Sequence, residues 1–223
     1  MIKKDLQKRI TSRIDWRLCF IADSEAAAGR DILCLIGEAV KGGATLIQLR
    51  GKIWNTREFL DISFKVREML EAKNVPLIIN DRVDIALACG AAGVHLGQED
   101  LPLPYARKIL GRNRLIGISV NTPEEAIAAE KKGADYVGAG PVFHTSSKAD
   151  LQPLLGLEGL KKIRAKVKIP ILAIGGIKAG NAAKVISAGA DGVAVISAIG
   201  VSKNPREAAT ELIDAIGKVN SQF

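Results

Sequence analysis

Aromatic residues are scarce in this chain: five Phe, two Trp and two Tyr among 223 residues. The Lys and Arg residues are scattered rather than clustered, so neither a basic patch nor an aromatic platform suits nucleic acid, and that partner class is set aside. Cysteine is nearly absent. Cys19, Cys34 and Cys89 each sit in an apolar run, none forms a CxxC pair, and no Cys/His spacing suits a metal. Buried, reduced thiols are expected, which excludes a disulfide scaffold and fits a cytoplasmic protein. No apolar run approaches the roughly 20 residues needed to cross a bilayer. The opening MIKKDLQKRITSRIDW lacks the apolar core of a secretory signal, so a soluble chain with no membrane partner is expected. Acidic residues are outnumbered 24 to 32 by Lys and Arg, a net charge of +8. That balance favours an anionic ligand, such as a small phosphorylated metabolite.

What the chain does have is alternation. A short amphipathic helix is expected over residues 2–14, with Ile2, Leu6 and Ile10 on one side. Strands are then expected at 18–22, 44–49, 77–79, 94–96, 115–120, 136–142, 171–174 and 193–198. Helices are expected between them at 31–40, 56–73, 82–89, 103–110, 123–132, 157–167 and 181–188, with a closing helix at 205–219. Thr122 is placed to cap the helix that begins at Pro123. A phrase recurs ahead of strands two, four, six and eight: Gly43-Ala44-Thr45, Gly90-Ala91-Ala92, Gly133-Ala134-Asp135 and Gly189-Ala190-Asp191. Each reads as a helix-ending glycine leading into a strand. Eight βα units in somewhat over 200 residues argue an α/β fold of the (β/α)8 TIM barrel type. A doubly wound sheet is the weaker choice, because no G-x-G-x-x-G follows the first strand. One domain over 1–223 is expected, with residues 1–15 forming an extra N-terminal helix that caps the barrel. The sequence does not set the oligomeric state and leaves room for a homo-oligomer.

In such a barrel the chemistry collects on the loops after the strands. The stretch 76–100, PLIINDRVDIALACGAAGVHLGQED, reads as strand, helix, strand, with Asp81 just beyond one strand and Asp100 beyond the other. Two carboxylates brought together in this way could share a proton or hold a divalent cation; their hard oxygens suit Mg²⁺. Asp81 could equally cap the following helix, and Asp100 could be an ordinary surface carboxylate. Arg50 and Lys52, two residues apart on strand two, share a face and offer a fork and a point charge to a pyrophosphate. An exposed basic strand end is the plainer reading of the same pair. Gly175-Gly176 and Ile196-Ser197 fall where barrels take a phosphate on backbone N–H groups. The loop 140–148 carries Thr145, Ser146 and Ser147 and ends at Lys148, which suits closure over an anion or simply a polar surface loop. His95 reads as a packed barrel residue, and His144 has no assigned role. Two anion grips and a metal pair, with no nucleophile or evident base, favour group transfer with pyrophosphate as leaving group.

QLRGK, IND, GVHLGQEDL, GISV, ADYVGAGPVFHTSSK, ILAIGGI and GADGVAVISAI occur in that order over roughly residues 16–215. Together they resemble the thiamine-phosphate synthase family. The resemblance implies a (β/α)8 barrel that uses Mg²⁺ to join 4-amino-2-methyl-5-hydroxymethylpyrimidine diphosphate to a thiazole phosphate. The products would be thiamine phosphate and pyrophosphate, by a dissociative route in which pyrophosphate leaves first. It implies that Gln48, Arg50, Lys52, Asn80, Ser119 and Lys148 bind the pyrimidine diphosphate, with Leu49 and Gly51 in the same substrate-binding run. Arg50, Ser119 and Lys148 would be catalytic, and Asp81 and Asp100 would hold Mg²⁺. Thr145, Ser146, Ser147, Gly176, Ile196 and Ser197 would hold the thiazole phosphate. The sequence departs from the family pattern at His144 and Ser147, where proline and threonine are expected, and in the bulk of Ile53-Trp54. Two rivals remain: a thiazole tautomerase of the same fold, which has no need of the full set of diphosphate ligands, and a non-catalytic phosphate-binding barrel, which has no need of the two aspartates.

Overall fold

A computed structural model of the chain describes residues 14–145 and 153–220. Eight parallel strands close into a barrel in sequential order. They are β1 Leu18–Asp23, β2 Leu46–Arg50, β3 Leu77–Asn80, β4 Gly93–Leu96, β5 Leu115–Val120, β6 Tyr136–Ala139, β7 Ile171–Ile174 and β8 Gly192–Val195. Closure comes from β1 pairing β8, with Leu18 opposite Val193 and Phe20 opposite Val195. A helix follows each of the first seven strands, and the short Ser197–Gly200 and the long Pro205–Asn220 follow β8. The expected helix over residues 1–15 lies outside the described residues apart from Ile14 and Asp15, which are not helical.

The alternation of side chains along each strand divides the core in two. On β1, Leu18, Phe20 and Ala22 face the helix layer, whereas Cys19 and Ile21 face the barrel interior with Leu46, Ile78, Leu115 and Tyr136. Trp16, 8% exposed, joins the interior group next to Tyr136, their ring centroids 4.9 Å apart. Of the three free thiols Cys19 and Cys89 are buried as expected, but Cys34 is exposed. It stands on the outer face of the helix Ile32–Lys41, which buries Ile32, Leu35, Ile36 and Ala39 instead.

The recurring Gly-Ala phrase is one hydrogen-bond pattern used four times. Gly43, Gly90, Gly133 and Gly189 all have positive φ, the left-handed conformation that ends a helix at little cost only for glycine. The next N–H then reaches back five residues: Ala44 to Ala39, Ala91 to Ala86 and Ala134 to Ala129 at 3.0 Å, and Ala190 to Val185 at 3.4 Å. The third residue starts the strand ladder, with Thr45 donating to Leu18, Ala92 to Leu77, Asp135 to Ile116 and Asp191 to Ile171 at 2.9–3.0 Å. Three of these third residues also return a side-chain acceptor. Leu18 N–H donates to Thr45 Oγ1 at 3.0 Å, Ile116 N–H to Asp135 at 2.7 Å and Ile171 N–H to Asp191 at 2.8 Å. Arg107 and Arg164 pair with the two aspartates at 2.5 and 3.0 Å.

Two strands are shorter than their apolar runs. β6 ends at Ala139 rather than reaching Val142, because Pro141 has no N–H to give the ladder. β8 ends at Val195, where Ile196 turns to φ −103° and ψ −78° and Ser197–Gly200 winds into a helical turn. A short apolar run such as VAVISAI does not distinguish these states by periodicity.

The end of the barrel opposite the loops that follow the strands is the stabilising face. Asp135 is 2% exposed there and serves both Arg107 and Ile116, so Asp135→Ala should cost about 3 kcal/mol in urea unfolding. Asp191 makes the same pattern with its side chain 42% exposed, and Asp191→Ala should cost about 1 kcal/mol. Equal losses at the two positions would contradict the role assigned to burial.

Candidate active site

The C-terminal ends of the strands surround a cavity whose floor carries polar side chains from four neighbours: Gln48 on β2, Asn80 on β3, His95 on β4 and Ser119 on β5. Asn80 and His95 are register partners, so they stand side by side at one height. Gln48 is 4% and Asn80 9% exposed, and neither side-chain amide makes a hydrogen bond among the described residues. Two buried carboxamides with unmet donors and acceptors are poised for a polar ligand. Leu49, between Gln48 and Arg50, points the other way into the helix layer. Its side chain lies outside the cavity, as strand alternation requires.

Arg50 and Lys52 do not share a strand face. β2 ends at Arg50, and Lys52 lies in the following loop. Arg50 leans toward β1, pairing with its register partner Asp23 and, at 3.2 Å, with Glu25. Lys52 leans toward β3, its Nζ 2.7 Å from Asp81. The two cations therefore flank the mouth rather than stack. Gly51, between them, has no room for a side chain. A Cβ there would lie 2.5 Å from Trp54, which packs down on Phe59 with centroids 5.8 Å apart. The bulk of Trp54 is absorbed beneath the loop, and Ile53 points out to solvent.

Asp81 does not cap a helix. The N-cap position of Val83–Ala88 is Arg82, which makes no side-chain cap bond. Asp81 instead takes φ +63°, a left-handed conformation tolerated by Asp more readily than by most residues, and donates its N–H to the His95 carbonyl at 2.8 Å. Its carboxylate meets Asp100 across the gap between the β3 and β4 loops. Burial pushes the Asp81 carboxyl up, but hydrogen bonds from Lys52 and Asp100 outweigh it and hold the group below the ordinary carboxylate value. Asp100 is pushed up, first by burial and then by Asp81, with the Gly97 N–H only partly opposing; that N–H lies 2.7 Å from Asp100 Oδ2. When the pair holds one proton, it resides on Asp100.

Across the mouth, the start of the β6 loop crosses the end of β7. Val142 N–H donates to Ile174 at 2.8 Å and Phe143 N–H to Gly175 at 3.0 Å. Gly175 and Gly176 have φ of +100° and +63°, and a Cβ on Gly176 would lie 2.5 Å from the His144 carbonyl. Ile196 lines the cavity wall, and Ser197 opens the helical turn beside it, exposed. Thr145 and His144 are exposed at the loop's near end. Ser146, Ser147 and Lys148 lie outside the described residues. Asn121 clasps both stems of this loop, its amide donating to Gly140 at 2.8 Å and Pro153 at 2.9 Å.

With this geometry established, the relatives of the chain are informative. A model of the family described as thiamine monophosphate synthase matches residues 18–199. The chain belongs to that family. The thiamine-phosphate synthase of Clostridium novyi is 52% identical over 186 residues, covering 83% of this chain and 91% of its own. That of Desulfitobacterium hafniense is 50% identical over 201 residues, 90% and 97% of the two chains. A solved thiamine phosphate pyrophosphorylase from Pyrococcus furiosus superposes with a TM-score of 0.86 at 43% identity, over 93% of this chain and 98% of its own. The chain is accordingly a transferase of the thiamine-phosphate synthase family, and its fold is the (β/α)8 barrel of that relative.

Three further residues contribute to the site without standing out in the sequence. Asp23 closes β1 one residue beyond the apolar run that predicts the strand, and a carboxylate at that place is its readable signal. Tyr136, buried in the barrel interior, has the pattern of any strand aromatic, yet its hydroxyl lies 3.0 Å from His95 Nδ1. Asn121, just past β5, carried no signal, since its partners lie 19 and 32 residues away.

The carboxylate pair gives opposite effects of substitution. Asp81, held low, adds stability above the ordinary carboxylate range, and this is lost as pH falls through its folded pKa. Asp100, held high, works in reverse: folding is favoured as pH falls through its raised pKa and penalised above it. In chelator at pH 7, Asp100→Asn should therefore stabilise the protein by about 0.5 kcal/mol and Asp81→Asn destabilise it by a similar amount, as befits half-exposed groups. Thermal unfolding with both variants shifting the same way would refute this.

Proposed function

We propose that this chain joins 4-amino-2-methyl-5-hydroxymethylpyrimidine diphosphate to 4-methyl-5-(2-phosphoethyl)thiazole, or its carboxylated form, with loss of pyrophosphate. The observation that carries the reading is the corner where Lys52, Asp81 and Asp100 meet, beside Arg50 and a floor of unpaired carboxamides. A tautomerase acting on the thiazole alone would have no use for these diphosphate ligands, nor a phosphate-binding regulator for the two aspartates.

The donor set at this corner fits Mg²⁺. Two hard carboxylates converge there, hydrogen-bonded to one another. Asp81 and Asp100 would hold the ion, leaving its other positions to water and diphosphate oxygens. Bound there, Mg²⁺ would supply positive charge to the departing diphosphate. Beside such an ion Asp81 and Asp100 would both be charged, and Lys52 would be available to the diphosphate. Arg50 approaches from the β1 side, and Lys148 is assigned to the same anion. Gln48, Asn80 and Ser119 bind and orient the pyrimidine. Gly176, Ile196 and Ser197 receive the thiazole phosphate on the opposite rim, with Thr145, Ser146 and Ser147.

The bond between the pyrimidine methylene carbon and the diphosphate oxygen breaks, and its electron pair leaves with the diphosphate. The thiazole nitrogen lone pair then captures the resulting pyrimidine cation, forming the new C–N bond. With the uncarboxylated thiazole no proton moves in either step, so a site that stabilises a leaving anion and offers no dedicated base is suited to it; the carboxylated form would in addition release CO2 and take up a proton at the vacated ring carbon. Small phosphorylated substrates agree with the excess of cations, and the unpaired thiols agree with a reducing, cytoplasmic setting. No helix among the described residues is long and apolar enough to cross a membrane.

Pyrophosphate should be released only when both substrates and Mg²⁺ are present, and absence of a coupled product under those conditions would reject the reading. Asp100→Ala should lower turnover by about 100-fold while leaving thiazole phosphate binding, measured by calorimetry, nearly unchanged. Parallel loss of both would contradict the division of the mouth into two anion sites.

A further inference from the structure

From Ser119 on the cavity floor a polar chain runs inward through His95 to Tyr136, two residues that the proposed reaction does not use. The Tyr136 hydroxyl is 3.0 Å from His95 Nδ1, and His95 Nε2 is 2.9 Å from Ser119 Oγ. We propose that Tyr136 sets the proton order of this chain, so that His95 donates to Ser119 Oγ and the Ser119 hydroxyl proton stays available to the ligand in the cavity.

The order follows from where each proton can go. Tyr136 has no exposed surface. It fits because β5 offers Gly117 beneath its ring, where a Cβ would lie 2.1 Å from Cζ and 2.5 Å from the hydroxyl oxygen. Trp16 covers it from below. Among the described residues, His95 Nδ1 is the hydrogen-bond partner of the Tyr136 hydroxyl. Burial also pushes the phenol well above its ordinary value, with Cys19 and Asp135 adding to the effect, so the group keeps its proton. A buried donor needs an acceptor, and here that acceptor is Nδ1. Nδ1 is thus the accepting nitrogen of the ring, and Nε2 carries the proton that is donated to Ser119 Oγ. The reverse order, or a doubly protonated ring, would leave the phenol proton unmet in an apolar enclosure.

Ser119 Oγ, already accepting from His95, has its own proton left to direct. Gln98 Nε2 donates to the Ser119 carbonyl at 2.5 Å, not to the hydroxyl, and Ser119 lines the cavity. The hydroxyl proton is thus not spent on His95 and is matched to a ligand acceptor such as an unprotonated ring nitrogen or a phosphate oxygen. Gln48 and Asn80 can each turn either end of an amide to a ligand; Ser119 keeps its proton for the ligand as long as Tyr136 holds His95. Tyr136 is on this account a positioning residue acting through His95. Only the identity of the acceptor rests on the reaction proposed above.

The test reads the tautomer directly. The chain has two histidines, His95 and His144, so ring-¹⁵N-labelled histidine gives two spin systems, assigned with His144→Gln. The wild-type protein should show His95 protonated on Nε2 alone. Protonation on Nδ1, alone or together with Nε2, overturns the proposal, whether or not any turnover is measured. In Tyr136→Phe the ring should lose its single tautomer, and turnover should fall by about three- to tenfold. In a Ser119→Ala background the same change should cost nothing further, whereas an equal further loss would show that Tyr136 does not act through Ser119. Should Tyr136→Phe fail to fold, the wild-type spectrum decides alone. A protein with the expected tautomer but no coupled product would reject the reaction and leave the proton order standing.

Discussion

A closed parallel barrel imposes a constraint: every strand after the first must be entered from the same end as its neighbours, after a helix that ran the other way. This chain satisfies it at β2, β4, β6 and β8 with one hydrogen bond, from the residue after a left-handed glycine to the carbonyl five residues back. The bond stops the helix and aims the next residue at the preceding strand, whose carbonyl it meets. Everything at the opposite end depends on that register. Asp23 meets Arg50 because they are ladder partners, and Asn80 stands beside His95 for the same reason.

At the mouth the dominant effect is competition among charges. Lys52 is bound to Asp81, and Arg50 to Asp23 and Glu25. The positive groups that suit a diphosphate are held by carboxylates rather than left to solvent. Such pairs orient long side chains before a ligand arrives; the half-exposed Lys52–Asp81 attachment is weak enough to exchange, whereas the largely buried Arg50–Asp23 pair holds its partners more firmly. Asp81 and Asp100 complete the arrangement. Two carboxylates this close favour a shared proton in the free protein and two charges beside a cation, so the choice between a proton and a metal is a matter of what else occupies the corner.

Most of the barrel was legible because its signals are local. Glycines end the helices, Thr122 caps the helix that starts at Pro123, and short β-branched runs mark the strands. Asp100 and Asp81 were legible as a pair because a single strand–helix–strand unit carries both. The failures share a cause: they concern direction, which composition does not encode. Spacing put Arg50 and Lys52 on one face, but the strand stopped between them. A strong apolar run hid the turn at Ile196. Tyr136 looked like any strand aromatic, and only the void left by Gly117 on the neighbouring strand shows why its hydroxyl reaches His95.

Asn121 has a further consequence. By holding the carbonyls of Gly140 and Pro153 with one amide group, it separates the geometry of the β6 loop's stems from the length of chain between them. The entropy of closing a loop grows only with the logarithm of its length, about 0.6 kcal/mol for each doubling. Inserted residues between fixed stems therefore perturb the barrel little. Of the connections around the mouth, this is the one where the chain can lengthen, shorten or change composition while the strands beneath keep their register. It is a hinge point for divergence in ligand preference, built from a single side chain on a different strand's loop.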